Sequence, residues 1–380
     1  MNYQTDVCII GAGPGGALLA YLLAKQNIST ILIERSDKLG KEFRGEHLNE
    51  DGEMILKKHH IFEEIESLGL LRMSRVEYWK DGHVFKTIES ELGHAGIHVP
   101  QQHLLQSIDS RASSHPSYKL MLGTKVTELT QNEKGQYTGI KAQQKGRGEI
   151  IVESKIIIGA DGRYSTVRKL AHIKNNIHNH GYDLLWAKIP APANWEPSIK
   201  FALVKQQQVA LFSQAKGFVQ IGWNIEKGSY PALRKQSFKP FIQRLIEAFP
   251  SLNLSIERFI QRLIEAFPSL NLSIERFIKS WSDFTLLSVQ SSMSEVWSKH
   301  HLLLLGDAAH TMTPTGAFGL NESLKDADLL SDLLHQVFYQ NKEISKTLRQ
   351  FEQKRKPRLI TLERIQFQRE KEFPSHFISS

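Results

Sequence analysis

VCIIGAGPGG, residues 7–16, decides the fold, because this short apolar run turns through glycines into the apolar stretch Ala17–Lys25. The order predicts a strand, a tight turn and a helix, which together begin a dinucleotide-binding unit. Gly11 permits the tight turn, Gly13 lets the backbone approach a pyrophosphate, and Gly16 lets the helix pack closely on the strand. The phosphates are then expected at the helix N-terminus, where unpaired N–H groups and the helix dipole favour negative charge.

A second apolar run, Thr30–Ile33, ends in Glu34, twenty-three positions after Gly11. A carboxylate at the tip of the second strand can bind both hydroxyls of an adenosine ribose, so the spacing favours FAD or NAD over NADP. Strand, helix, second strand and terminal acid fall in order and predict a bound adenine dinucleotide. A glycine turn in another kind of α/β domain is the alternative at this point.

The composition is that of an ordinary globular enzyme. The chain has 380 residues, of which 41% are hydrophobic and 23% charged, and this length predicts two domains. The net charge of +8 comes without a basic run that carries interleaved aromatics, so we expect no nucleic-acid partner. The single cysteine, Cys8, excludes an internal disulfide and indicates a reducing compartment. We find no targeting or membrane-spanning pattern and expect a cytoplasmic location.

The middle of the chain is rich in predicted strands. Asp81-Gly82 separates two alternating runs and predicts a hairpin. Ile156–Ile158 predict a buried strand that returns to the first sheet and ends near Asp161, which would face the ligand crevice. The strands that follow have an aromatic bias, and their rings are expected either in the core or along a substrate pocket. These residues are Trp186, Phe201, Phe212, Trp223 and Tyr230.

An exact duplication follows: FIQRLIEAFPSLNLSIER occupies residues 241–258 and again residues 259–276. Repeats of an old solenoid diverge and recur at least three times, so we interpret the pair as a recent in-frame duplication or a sequence error. Ile242–Phe249 has helical periodicity, and Pro250 stops it. Our hypothesis is that one copy fills the native helix and the other forms an extra helix and loop on the surface.

A third informative stretch begins with an apolar strand that ends at Gly306-Asp307. The loop behind it contains Pro314, Gly316 and Gly319, which would let the backbone approach a flat ligand. We expect His310 to order this loop rather than act as a base. A long helix is predicted from Leu320, and early acids suit its positive start. These acids are Glu322, Asp326 and Asp328.

Three motifs in order carry a family resemblance: GAGPGG at 11–16, GADGRYSTVR at 159–168 and GDAAHTMTPTGAFGLN at 306–321. Over nearly the whole chain the sequence resembles the FAD-dependent aromatic hydroxylases of the p-hydroxybenzoate hydroxylase fold. The resemblance implies an α/β fold, in which a Rossmann-like (GR2-type) FAD-binding domain is interleaved with a mostly antiparallel β-sheet substrate domain. The implied boundaries are 1–70, 99–175 and 298–340 for the FAD-binding domain, 71–98 and 176–297 for the substrate domain, and 341–380 for a C-terminal helical segment.

The resemblance also implies a cofactor site. The glycine loop would cradle the FAD pyrophosphate, Glu34 would hold the adenosine ribose, Asp161 would lie near the pyrophosphate, and Asp307 would bind the ribityl chain. Residues 314–321 would line the isoalloxazine. The full implied set is Gly11, Gly13, Pro14, Gly15, Gly16, Glu34, Arg35, Arg44, Gln101, Asp161, Asp307, Pro314, Gly316, Gly319, Leu320 and Asn321. The sequence departs from the family where Gln101 replaces a frequent arginine and where Ala317-Phe318-Gly319 replaces a frequent Gly-Gln-Gly.

The activity implied by the resemblance is monooxygenation. NADPH or NADH, as a transient co-substrate, would reduce FAD, and O₂ would add to give a flavin C4a-hydroperoxide. One oxygen atom would then pass to an aromatic, quinone-like or other apolar small molecule. The cofactor carries the difficult chemistry, which agrees with the absence of a catalytic side-chain set in the sequence.

Other functions were compared on residues. His94 and His98 have the spacing of a helical metal pair, but nearby glycines and Pro100 argue against a helix, so we expect no metal site. A flavin halogenase would carry W-x-W-x-I-P, whereas Leu185 and Ala187 stand at the tryptophan positions. A FAD-dependent reductase of prenyl chains and a non-catalytic binding protein on a flavoprotein fold remain as alternatives.

The basic tail bears on the partners. Residues 342–371 contain ten basic and four acidic residues on a helical pattern. Such a pattern is usually a solvated face, and it also allows weak peripheral contact with an anionic membrane. The sequence leaves the oligomeric state open.

Overall fold

The computed structural model describes residues 1–40, 46–91, 93–191, 195–204, 206–237, 239–250 and 280–377. Its strands, in chain order, are β1 (Asn2–Ile10), β2 (Thr30–Ile33), β3 (His47–Leu48), β4 (Leu71–Arg72), β5 (Arg75–Lys80), β6 (His83–Glu89), β7 (Ile97–His98), β8 (Tyr118–Met121), β9 (Thr124–Gln131), β10 (Tyr137–Gln144), β11 (Gly148–Gly159), β12 (Asn175–Pro190), β13 (Ser198–Val204), β14 (Gln207–Gln214), β15 (Phe218–Glu226), β16 (Thr285–Ser294), β17 (Ser298–Lys299), β18 (Leu302–Leu304) and β19 (His310–Thr311).

The helices complete the description. They are α1 (Pro14–Lys25), α2 (Glu50–Lys58), α3 (Phe62–Leu68), α4 (Gln101–Ala112), α5 (Thr166–Leu170), α6 (Tyr230–Leu233), α7 (Lys239–Ala248), α8 (Phe318–Gln340) and α9 (Ile344–Glu372). Short 3₁₀ turns span Trp281–Asp283, Gly306–Ala308, Thr315–Ala317 and Phe373–Phe377. No helix in the described ranges is long and apolar enough to cross a membrane.

The chain divides into two compact units, each made of three segments. The first unit contains Met1–Leu68, Pro100–His178 and Gln290–Gln366, and the second contains Gly69–Val99, Asn179–Val289 and Phe367–Ser380. We predicted a separate C-terminal segment at 341–380. The division instead assigns its helical part up to Gln366 to the first unit and the remainder to the second.

The first unit is built on a largely parallel sheet in the order β17-β18-β11-β1-β2-β8. The central strand β1 places Ile9 between Ile158 and Leu32, all of them fully or almost fully buried. Continuous apolar runs such as these are typical of parallel strands that are covered on both faces. Strands β10 and β9 extend the sheet in antiparallel fashion from β11. The predicted strand, glycine turn, helix and second strand are confirmed as β1, α1 and β2.

The second unit contains a mostly antiparallel sheet in the order β12-β15-β14-β13-β5-β6, with β13 and β5 parallel. The predicted hairpin around Asp81-Gly82 is confirmed as β5 and β6. Helix α7 covers one face of this sheet, where its Phe241 stacks on the buried Trp223 with ring centroids 3.9 Å apart. Because successive side chains of a strand point to opposite faces, the residues next to those beneath α7 point to the other face of the sheet.

The duplicated segment is only partly described. The predicted helix of the first copy is confirmed as α7, which ends at Ala248, and Phe249 is buried in the core beside it. Residues 251–279, which include the rest of the first copy and the whole second copy, lie outside the described residues. The hypothesis about which copy fills the native helix therefore remains a prediction.

Candidate functional site

The glycine loop between β1 and α1 packs directly against the backbone that follows β11. Gly11 has φ of +107°, and a Cβ there would lie 2.3 Å from the carbonyl oxygen of Ala160. A Cβ at Gly16 would lie 2.1 Å from the carbonyl oxygen of Gly11. Two of the three fingerprint glycines are therefore required by the protein's own packing, and they bring the first and second motifs together.

Gly13 and its neighbours form the part of the loop that remains open. Gly13 is the N-cap of α1, and no side chain forms a capping hydrogen bond there. A Cβ on Gly13 would meet nothing within 4 Å. Pro14 occupies the first helical turn, where no N–H is needed for the helix. Gly15, in contrast, packs against Leu305 and the backbone of Ser323. An uncapped helix start beside a bare backbone surface fits a pyrophosphate.

Glu34 is held at this loop by backbone donors. Its Oε2 accepts from Ala12 N at 3.1 Å, and its Oε1 accepts from Ser36 N at 2.9 Å. The carboxylate is thus fixed at the tip of β2 and beside the glycine turn. Arg35, the next residue, is exposed. Each Glu34 oxygen keeps a second lone pair, which fits the hydroxyls of a ribose.

Two other predicted cofactor residues are placed less directly. Gln101 is the first residue of α4 and is buried, with its backbone N 3.5 Å from Oε1 of Glu46. Arg44 lies outside the described residues. Contact of either residue with the cofactor remains a prediction.

Asp161 has a structural task that the sequence did not reveal. Its carboxylate accepts from Ser165 Oγ at 2.5 Å, from Thr166 N at 2.6 Å and from Val167 N at 3.1 Å, so it caps α5. Burial raises the pKa of Asp161, although these hydrogen bonds act in the opposite direction. These bonds order the turn that contacts Gly11, and the expected position of Asp161 near the pyrophosphate remains a prediction.

Arg168 connects the second and third motifs, and we did not single it out from the sequence. Its buried guanidinium donates to the carbonyl oxygen of Ala308 at 2.7 Å and to that of Arg163 at 2.8 Å. The sequence feature that could have indicated this role is its place as the last residue of the second motif, GADGRYSTVR.

The third motif forms a 3₁₀ turn that carries Asp307 next to the start of α8. Asp307 is partly exposed, and a Cβ on Gly319 would lie 3.8 Å from its Oδ1. Gly316 is exposed with φ of +76°, and Ala317 has the left-handed φ of +52° just before the helix. Pro314 precedes this turn, whereas Leu320 is buried. The helix has neither a side-chain cap nor an acid in its first turn.

Asn321 is fully buried and ties α8 to the segment before α2. Its Nδ2 donates to the carbonyl oxygens of Ala317 and His47 at 2.9 and 3.1 Å, and its Oδ1 accepts from Asn49 N at 3.1 Å. We expected Asn321 to line the isoalloxazine. The structure shows its amide engaged with the protein on both sides, so it positions the loop.

Two of the early acids of α8, Glu322 and Asp326, form a buried ionic network. The helix begins at Phe318, so the expectation that these acids serve the helix dipole is wrong. Asp326 Oδ1 accepts from Arg355 Nε at 2.6 Å, and Asp326 Oδ2 accepts from Gly306 N at 3.1 Å. A further 2.6 Å hydrogen bond joins Asp326 Oδ2 to His310 Nε2, in agreement with a loop-ordering role for His310. Glu322 binds the other side of the Arg355 guanidinium at 2.6 Å.

This network fixes the backbone that carries Asp307. Burial raises the pKa of Asp326, but His310 and Arg355 outweigh it and leave that pKa below its ordinary value. At Glu322, burial also raises the pKa, but hydrogen bonds from Arg358 and Arg355 lower it by more. The pKa of Glu322 is therefore also below its ordinary value. Asp328 is separate from the network and bonds Lys58 and His59. Arg355 is therefore a positioning residue. The sequence pattern had placed it, with the rest of the basic tail, on a solvated face.

The second unit divides its aromatic residues between two faces of its sheet. Trp223 and Tyr230 pack with the core beneath α7. Trp186, Phe201 and Phe212 lie on the opposite face, which we call the open face, and all three remain partly exposed. Phe212 meets Trp186 and Phe201 with ring centroids 6.1 and 6.3 Å apart.

Two amides add a polar group to the open face. Gln220 lies directly opposite Phe212, and Gln214 lies two residues after Phe212 on the same strand. The Nε2 of Gln214 donates to the Oε1 of Gln220. Within the described residues, the buried Oε1 of Gln214 has no hydrogen-bond partner. A buried amide oxygen without a partner is costly unless a ligand satisfies it.

His94 and His98, which have the spacing of a helical metal pair, do not lie on a helix. His98 lies in β7, where its Nδ1 accepts from Ala215 N at 3.0 Å, and His94 lies in the preceding turn region, where its Nδ1 accepts from Gly96 N. The helix that would bring the two imidazoles to one face is therefore absent at these residues.

Comparison with known proteins adds sequence relatives and structural neighbours. The family model described as "FAD binding domain" matches residues 4–365. The 6-methylpretetramide 4-monooxygenase of Streptomyces rimosus is 31% identical over 340 residues, which cover 85% of this chain and 73% of that protein. Squalene epoxidase 5 of Arabidopsis thaliana is 23% identical over 369 residues, or 94% of this chain and 67% of that protein. The crystal structure of PqsL from Pseudomonas aeruginosa superposes with a TM-score of 0.79 at 17% identity, covering 97% of this chain and 96% of that one.

Proposed function

The chain belongs to the FAD binding domain family and is a FAD-dependent monooxygenase, and we propose that it hydroxylates an aromatic, quinone-like or other apolar small molecule on the open face. One atom of O₂ enters the substrate and the other leaves as water, while NADPH or NADH supplies the two electrons. FAD, when bound, supplies the chemistry of oxygen activation. The residues of the chain bind, orient and shield the reactants.

The observation that carries the cofactor assignment is the bare backbone at Gly13. We propose that the pyrophosphate lies there, against the start of α1, and that Glu34 binds the adenosine ribose. Asp307 would bind the ribityl chain, and the turn from Pro314 to Gly319 would line the isoalloxazine. In this proposal the uncapped start of α8 stabilises negative charge on the reduced ring.

The remaining predicted residues divide into three groups. Gly11, Gly15 and Gly16 shape the loop by packing, and Asp161 and Asn321 hold neighbouring turns. Leu320 would contact the cofactor only from its buried position in α8. Arg35, Arg44 and Gln101 are retained as proposed contacts on the strength of the family resemblance alone.

The substrate assignment rests on the open face. Half-buried rings of Trp186 and Phe212 offer flat apolar surface, and the Oε1 of Gln214 offers one buried hydrogen-bonding atom near Phe212. A flat apolar molecule with a hydroxyl or carbonyl group matches both features. The relatives named above act, by their names, on 6-methylpretetramide and on squalene, which supports an apolar substrate without selecting one.

The direct test is the visible spectrum of the purified protein, followed by its reduction with NADPH or NADH under nitrogen and its recovery in O₂. We expect flavin bands that bleach and return with oxygen uptake. A bound flavin that neither nicotinamide reduces would favour a prenyl-chain reductase or a halogenase supplied by another donor. Colourless protein that takes up no added FAD would favour the non-catalytic alternative.

We expect Asp307→Ala and Glu34→Ala each to weaken FAD binding by roughly tenfold or more while the fold persists, because each removes acceptors for a cofactor hydroxyl. The measurement is the flavin absorbance retained after gel filtration, with apoprotein melting temperature as the stability readout. Asp37→Ala is the control, since this carboxylate binds Lys145 on the surface at 2.5 Å. Variants that remain as yellow as the parent protein would contradict both assignments.

We also propose a cytoplasmic location, and weak peripheral membrane contact through the basic tail. Arg355 is buried in the ionic network, and Lys356 and Arg358 bind Glu352 and Glu322, so fewer cations face outward than the sequence implies. We expect flotation with vesicles of one-third anionic lipid to be weak and lost at high salt. Absence of flotation even at low salt would exclude membrane contact through this helix.

A further inference from the structure

The end of the chain crosses the open face of the second-unit sheet. We call residues Phe367–Phe377, the last part of α9 and the 3₁₀ turn after it, the strap. At its first end, Glu370 Oε2 is 2.7 Å from Nδ1 of His180, and Tyr182 Oη donates to Glu370 Oε1 at 3.0 Å. Tyr182 lies on the side of β12 that carries Trp186, because alternate residues of a strand point to one face. His180 meets the same carboxylate as Tyr182 and therefore lies beside it.

The other end of the strap is held by aromatic contacts. His376 and Phe377 lie 5.1 and 5.7 Å from the ring of Tyr78, measured between centroids. The carbonyl oxygen of Phe377 also accepts from Lys80 Nζ at 3.5 Å. Tyr78 is buried, and this burial raises the pKa of its phenol. The strap therefore has a polar anchor on β12 and an aromatic anchor on β5, at opposite sides of the six-strand order.

Phe373, between the two anchors, reaches the exposed part of the open face. Its ring centroid is 5.7 Å from that of Phe201 at an interplanar angle of 75°, and Phe201 in turn meets Phe212 edge to face. Phe373 is itself only partly buried.

We propose that the strap is a wall of the substrate site and that Phe373 sets the size of the ring system that the open face accepts. This inference rests on the proposed substrate site. A strap that served only to cover the core would need neither a partly exposed ring in its middle nor anchors of two different chemistries at its ends. Phe373 lies beside Phe201, whose ring meets Phe212, and this place makes Phe373 the strap residue that a bound ring meets.

The test measures size selectivity in the FAD-loaded protein. The probes are phenol, 1-naphthol and 1-anthrol, with one, two and three fused rings, and their dissociation constants are read from the flavin difference spectrum. Phe373→Ala is expected to raise the ratio of three-ring to one-ring affinity by roughly tenfold, because it removes one aromatic wall. Phe373→Trp should lower the ratio, and it tests the inference if the alanine variant does not fold. Met54→Ala, a change of an exposed side chain in α2, is the control and should leave the ratio unchanged.

Gln214→Leu and Trp186→Leu separate this inference from the proposed function. If both Phe373 variants keep the parent ratio while Gln214→Leu and Trp186→Leu weaken probe binding, the strap is not a wall and only this inference fails. If the Gln214 and Trp186 variants bind every probe as the parent does, or if the parent binds none, the open face is not the substrate site and both proposals fail.

Discussion

Gly13→Ala is expected to lower FAD affinity by roughly a hundredfold, equivalent to about 3 kcal/mol, while leaving the apoprotein as stable as the parent. The added methyl group meets no protein atom within 4 Å, and the backbone at Gly13 has φ of −72°, which any residue adopts. The methyl group would instead occupy the space that we assign to the pyrophosphate. The measurements are FAD titration of apoprotein by fluorescence quenching and apoprotein melting temperature.

Gly16→Ala is the matched control for Gly13→Ala. Its methyl group would lie 2.1 Å from the carbonyl oxygen of Gly11, so the helix and the strand must separate. We expect the apoprotein itself to lose about 1–3 kcal/mol of unfolding free energy. If Gly13→Ala binds FAD as tightly as the parent protein, the pyrophosphate does not lie at Gly13.

Arg355→Met is expected to cost about 3 kcal/mol of unfolding free energy, because it removes the cation that the buried carboxylates of Asp326 and Glu322 share. The other partners remain, since His310 still bonds Asp326, and Lys325 and Arg358 still bond Glu322. Both carboxylates receive hydrogen bonds from Arg355 at 2.6 Å, and Asp326 also holds the backbone N–H of Gly306. FAD affinity should fall together with stability, since this backbone carries Asp307. Urea unfolding of the apoprotein and FAD titration measure the two effects.

Lys354→Met is the control for Arg355→Met, because Lys354 is the exposed neighbour on the same helix. It removes the same charge and should leave both stability and FAD affinity close to those of the parent. An Arg355→Met protein with the parent's unfolding free energy would contradict the role of the network. Retained FAD affinity in a destabilised variant would show that the network supports the fold without positioning the cofactor turn.

The network also predicts how stability depends on pH. The pKa values of Asp326 and Glu322 are lowered in the folded protein, so their contribution is fully present above the unfolded value of about 4 and is lost as the pH falls through the folded values. Stability should therefore decline more steeply with acid in the parent than in Arg355→Met. Unfolding free energies at several acidic pH values compare the two slopes.

Local patterns were enough to predict the cofactor unit. The glycine loop, the strand tip at Glu34 and the Gly306-Asp307 turn depend on short-range backbone geometry, and the structure places each of them as a strand, turn or helix start. The interleaving of two domains was implied by the family resemblance. The family resemblance carried the identity of FAD, which the spacing alone left open between FAD and NAD.

The roles of individual polar residues could not be predicted in the same way. Asp161 and Asn321 occupy motif positions, but the structure uses their side chains to cap a helix and to join two segments far apart in sequence. Arg355 belongs to a basic run that is typical of a solvated surface, yet it is almost fully buried. Its partners, Glu322 and Asp326, are about thirty residues away along the chain.

The sequence by itself determined the cofactor fold, because backbone turns and strand periodicity are written in neighbouring residues. Only the tertiary structure decided which aromatic rings pack in the core and which lie on the open face, and which strand pairs bring Gln214 and Gln220 together. It also placed Phe373 on Phe201. The physical reason is that a side chain's partners depend on sheet register and on the return of distant segments, and neither is encoded within a few residues of the side chain itself.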